Sequence, residues 1–196
     1  MDEGARGRIA DYVKPLAVGL DGMTYYGDVE RVVAASEKVA AGREDVDRDS
    51  LYLLAVFSGQ EKWVSRFGHK SRTEIFLGSL GIAPRAIAAL WRSLARFERE
   101  PRTAEEEIVH DALRLEELGA YGIARQLLEG YRERLDFREI AGSIEESGRA
   151  PLATEAGRAL AKPRIETMRE FARRLREEFE EFSSQTIERP PSTRRT

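Results

Sequence analysis

The 196-residue chain contains no cysteine. Disulfides, thiolate nucleophiles and cysteine-ligated metals are therefore excluded. Histidine is almost as scarce: His69 and His110 are the two in the chain. Charge of one sign is also missing. Lys and Arg total 32 against 35 Asp and Glu, a net charge of -3, which argues against bulk electrostatic binding to nucleic acid or anionic lipid. No apolar run approaches the roughly 20 residues that a membrane span needs. The start, MDEGARGRIADY, lacks the apolar core of a signal peptide. A soluble cytoplasmic protein is expected. Nucleotide-loop glycine patterns and a Gly-x-Ser-x-Gly elbow are absent as well.

What is present is charge and helical periodicity. Charged residues make up 34% of the chain and hydrophobic ones 41%, enough for one core. A dense mixed surface rich in Arg and Glu fits a thermophilic source, and equally a generic helical protein with solvated faces. Residues 29–41 place Val29, Val32, Val33, Ser36, Val39 and Ala40 on one helical face, with Gly42 as a stop. SLYLLAVF, capped by Asp49 or Ser50, is apolar nearly all round and reads as a buried helix. Residues 58–70 read as a loop or broken helix, and 71–80 as a helix ended at Gly81. Pro84 opens the next, with Ile87, Leu90, Trp91, Leu94 and Phe97 inward and Pro101 as its end. Thr103-x-x-Glu106 is a capping box that starts the following helix. Gly119 and Gly122 loosen the backbone or admit a close neighbour, and 124–135 resume as helix. Residues 137–154 look like a linker. A closing helix over about 154–182 carries Ile165, Met168, Phe171, Ala172, Leu175, Phe179 and Phe182, and Pro163 should kink or split it. The expected architecture is all-α, with about six or seven helices in one domain over 1–182 and a disordered tail over 183–196.

The run His110–Arg125, HDALRLEELGAYGIAR, resembles the last motif of small HD-domain phosphohydrolases, which reads roughly DADRLDALGAIGIAR. Asp111, Ala112, Arg114, Leu115, Leu118, Gly119, Ala120, Gly122, Ile123, Ala124 and Arg125 match it. Four further segments resemble the same family in order. MTYYGDVERV stands for a segment like SHDWxHxxRV, with Glu30, Arg31 and Val32 retained. LLAVFSGQE stands for AALLHDIG. SRFGHKSRTEIFLGSLGI keeps a helix and its Leu-Gly end, with His69 nearby. LATEAGRALAKPRIETMREFARRLREEF resembles the closing helix. The resemblance implies an HD-domain-like helical bundle.

It also implies a site, and the site residues differ. Thr24 and Asp28 stand where the early segment has two His. Ser58 and Gly59 stand where the namesake His and Asp would be, and Leu113 replaces the metal-binding Asp. In the family, two His and two Asp hold a divalent metal that lowers the pKa of a bound water and neutralises phosphate charge. Among these positions only Asp28 keeps a good ligand, and one carboxylate holds Mn, Fe or Mg poorly against water. The expectation is therefore a catalytically inactive HD-domain-like protein with no cofactor. Its role would be binding or regulatory, toward a nucleotide, another phosphorylated ligand or a protein partner. Arg31, His69, Asp111 and Arg114 are the ligand-binding candidates, since a guanidinium forks onto phosphate or carboxylate. Alternatively the two Arg pair with Asp28, Glu30, Asp111 or Glu117 inside the bundle. The enzyme alternative is an active metal-dependent hydrolase with a rearranged site drawn from Asp28, His69, His110 and Asp111, although adjacent His110 and Asp111 diverge by about 100° on a helix. The closing-helix stripe packs either within the chain or on a second copy, leaving monomer or homodimer open.

Overall fold

A computed structural model describes residues 1–17, 26–59 and 69–183. Thr24, Trp63 and the 184–196 tail lie outside the described residues. Within them every regular element is an α-helix, so the all-α expectation holds. Nine helices are described rather than six or seven: α1 Glu3–Val13, α2 Tyr26–Val39, α3 Arg48–Phe57, α4 Lys70–Ser79, α5 Pro84–Leu94, α6 Ala104–Glu116, α7 Gly119–Glu133, α8 Phe137–Ser147 and α9 Glu155–Ser183. They form two compact units. Of the described residues, those up to 116 with 151–162 make the first, and 117–150 with 163–183 the second.

In the first unit, α1 is started by Asp2, whose carboxylate accepts the Ala5 amide at 2.6 Å. Its Ala5, Ile9 and Val13, four residues apart, are buried. Asp47 caps α3 by accepting the amides of Asp49 and Ser50, a few residues earlier than the Asp49 or Ser50 cap expected. Every residue from Leu51 to Phe57 is buried, so α3 is the central helix that its sequence predicts. At about 1.5–3 kcal/mol per large apolar side chain, this burial outweighs anything its surface charges contribute. Helix α2 packs on α3 and α6, and α3 packs on α6, α5 and α1.

Helix α5 ends at Leu94, well short of Pro101, and residues 95–99 follow as turns. Glu106, fully buried at 0% exposure, sits against this end. Its carboxylate accepts the Ser93 hydroxyl at 2.5 Å, Arg96 at 2.6 Å and the Arg102 amide at 2.7 Å. Thr103 does accept the Glu106 amide at 3.3 Å, but the carboxylate caps backward onto α5 rather than closing the box on Thr103.

In the second unit, α8 replaces the expected linker. Asp136 and Glu139 form a full capping box at its start, and Ile140, Ala141 and Ile144 are buried. Gly130 of α7 lies where a Cβ would meet Ile140 at 2.6 Å, so the two helices pack closely there. Helix α9 runs unbroken through Pro163. Along it Met168 and Ala172 are fully buried and Phe171, Leu175 and Phe179 half-buried. Arg176 pairs with Glu145 of α8 at 2.5 Å. No described helix is long and apolar enough to cross a membrane.

Candidate functional site

Three segments that carry the expected ligand positions come together in the first unit, because α2, α3 and α6 pack on one another. Asp28 lies half-buried in the first turn of α2. Ser58 follows the last turn of α3, where its hydroxyl donates to the Ala55 carbonyl at 2.7 Å and is buried. Gly59 has φ +80, the left-handed conformation that commonly ends a helix. Leu113 is half-buried on α6.

Arg31 pairs with an acid of the bundle, the alternative that the sequence offered. Its guanidinium makes a two-pronged ion pair with Glu116, through Nε to Oε2 and Nη2 to Oε1. Glu116 was not among the partners anticipated, yet it lies three residues after Leu113, so the two share one face of α6. The pair joins α2 to α6. Glu116 is 8% exposed and Arg31 45%. Arg31→Ala therefore strands a buried carboxylate. Allowing for the exposure of Arg31, thermal melts should show a loss of about 1–2 kcal/mol, and no loss would mean the pair is ornamental.

Asp111 is fully buried, and its two oxygens are taken. They accept the Ala153 amide at 2.8 Å, the Thr154 amide at 2.8 Å and the Thr154 hydroxyl at 2.7 Å. His110 Nδ1 lies 3.2 Å from Oδ1. Burial pushes this carboxyl up, but His110, Thr154 and the Ala153 and Thr154 amides together more than offset it, and its pKa ends below the ordinary value. Thr154 in turn accepts the Gly157 amide at 2.9 Å. Asp111 thus holds the start of α9 on α6. Arg114 is half-buried on α6. His69 is elsewhere, at the N-cap of α4 and without a side-chain capping bond there.

No family model matches this chain, and no curated protein does. Solved structures do. The Lin1889 protein of Listeria innocua superposes with a TM-score of 0.74 at 20% identity, over 92% of this chain and 98% of its own. An HD-superfamily hydrolase of Bacillus thuringiensis gives 0.71 at 16%, over 91% and 98%. YpgQ of Bacillus subtilis, solved in complex with ADP, gives 0.68 at 19%, over 89% and 95%. The chain has the HD-domain fold. At these identities the likeness carries the fold and leaves the chemistry to the residues present.

Those residues do not fit the metal of an HD hydrolase. Gly59 and Leu113 have no side-chain donor atom, and Ser58 offers only a neutral hydroxyl, a weak ligand, buried against the Ala55 carbonyl. Asp28 alone offers a carboxylate. Among the described residues of this HD fold no group of three or more His, Asp or Glu side chains is placed to hold a metal ion. No hydrolytic step is therefore derived through one.

Proposed function

We propose that this chain is an HD-fold protein without metal-dependent phosphohydrolase activity, acting by binding a nucleotide or another phosphorylated ligand. The observation that carries the reading is the donor set: Ser58, Gly59 and Leu113 at the ligand positions give a metal almost nothing to hold. Replacing carboxylate by leucine also removes unpaired charge from a site that has no cation to balance it. The ligand class draws support from YpgQ, which holds ADP on the same fold, and from Arg114, one residue after Leu113 on α6.

The test is total metal by elemental mass spectrometry on protein purified without chelator or metal resin, followed by a calorimetric titration with ADP. Near-zero Mn, Fe, Co, Ni and Zn per chain is expected, with ADP bound and not hydrolysed when Mn is added. Stoichiometric metal, or turnover of ADP, would overturn the proposal in favour of a rearranged metal site using Asp28, His69, His110 or Asp111. Restoring Ser58→His, Gly59→Asp and Leu113→Asp together should introduce metal binding. It should cost about 1 kcal/mol at position 59, where φ +80 suits glycine better than aspartate.

A further inference from the structure

Helices α4 and α5 form an antiparallel hairpin in the first unit, joined by residues 80–83. Between them lies a groove of about 750 Å³, lined by Lys70, Glu74, Ile75 and Gly78 from α4 and by Pro84, Ile87, Ala88, Trp91, Arg92 and Ala95 from α5. That volume is in the range of small-ligand sites, which combine apolar walls with a few polar anchors. Ile75, in its lining, is 73% exposed.

The charge on this hairpin is not that of the chain. The protein has a net charge of -3, yet α5 contains Arg85 and Arg92 and no acid, and α4 contains Lys70, Arg72 and one acid, Glu74. Among the described residues Arg72, Arg85 and Arg92 have no ion-pair partner. Lys70 lies over the Trp91 ring at 5.7 Å and is 4.0 Å from Glu74, the edge of ion-pair distance.

The charges are also sorted along the groove. Lys70, Trp91 and Arg92 sit at the open end of the hairpin, with one acid, Glu74, a turn along from Lys70, so that end keeps a net positive charge. Ile75, Gly78, Pro84 and Ala88 run toward the connecting loop and bring no charge. From Lys70 to Gly78 the helix advances about 12 Å, the reach of a medium-length alkyl chain or a two-ring body.

We propose that this groove binds a small amphiphilic anion, free in solution, with its acidic head on Lys70 and Arg92 and its apolar body on Ile75, Gly78, Pro84 and Ala88. A cationic pair with an aromatic face beside it selects the charge. The uncharged floor beyond it selects the body. This reading is independent of the fate of the metal site, since none of these residues belongs to it.

Decanoate, kept below its micelle concentration, is the first probe, with decyltrimethylammonium and decanol as charge controls. A Trp63→Phe background leaves Trp91 as the sole tryptophan reporter. Saturable one-to-one binding of decanoate is expected, with a change in Trp91 emission, and no binding of the cation. Arg92→Gln should weaken decanoate about tenfold, the scale of one charge-assisted contact. Gly78→Leu fills the floor from a position with open space around its Cβ, so the variant should fold normally and lose binding. Equal binding of all three probes would overturn the proposal, leaving a non-specific apolar patch. So would absence of decanoate binding, binding confined to phosphatidylglycerol vesicles, or self-association that Gly78→Leu abolishes.

Discussion

Asp111→Ala should lower the stability of the folded chain by about 3–5 kcal/mol, the cost of stripping the partner from a cluster of buried polar groups. For a chain of this size that is a fall in melting temperature of roughly 10 °C. The deletion leaves the Ala153 and Thr154 amides and the Thr154 hydroxyl facing a void, and no water path is needed to see the cost, because Asp111 is fully buried. Asp111→Asn keeps the shape and one strong acceptor but turns an amide toward donors, so it should cost less than alanine. The geometry leaves little slack: a Cβ on Gly157 would lie 2.2 Å from Asp111 Oδ2, so the start of α9 is seated directly on the carboxylate. The pH dependence follows from the lowered pKa. A carboxyl depressed in the folded state contributes stability above its unfolded pKa of about 4 and loses it as pH falls through the lower folded value. The gap between wild type and Asp111→Asn should therefore be constant near neutrality and close below about pH 4. Equal melts for wild type and Asp111→Ala would refute the clasp.

The clasp also shows where reading the chain succeeds and where it stops. Helices α2 and α5 are legible because their apolar residues recur at helical spacing and their burial follows that spacing, and α3 because it is a short run apolar on every side, buried from Leu51 to Phe57. Helix α8 was hidden by Gly142 and Ser143, which weaken helix propensity by up to about 1 kcal/mol each. Burial of Ile140 and Ile144, together with the Asp136 capping box, overrides that penalty. The capping box is a signal that the sequence offered and composition obscured. The changed ligand positions were legible residue by residue. Their surroundings were not: Asp111 is answered by backbone amides 42 and 43 positions away, and Arg31 by a carboxylate 85 positions away. No local rule reports such partners. Asp111 is a motif residue whose conspicuous match to a hydrolase is satisfied here by holding a helix start.

Gly122→Ala tests the same idea on the other half of that motif, and should destabilise by about 3 kcal/mol or more, at the upper end of overpacking costs. Helix propensity alone predicts the opposite sign, since alanine exceeds glycine by about 1 kcal/mol inside a helix. What reverses it is space. A Cβ at position 122 would lie 2.0 Å from the Glu117 carbonyl oxygen and 2.3 Å from its carbon, and both are backbone atoms that cannot swing aside. The approach arises because the chain breaks after Glu116 and re-enters a helix at Gly119, whose φ of +75 makes the turn possible. Gly142→Ala is the internal control: it lies in the same unit, on α8, with nothing within 4 Å of its Cβ, and should stabilise by about 0.5–1 kcal/mol. Denaturant midpoints of the two variants should therefore move in opposite directions. If they do, the glycines of GAYGIAR are kept by backbone geometry, and the motif can persist in a chain whose ligand position is leucine. If Gly122→Ala is neutral in stability, packing no longer explains the glycine, and close approach of a bound ligand to α7 becomes the reading to pursue.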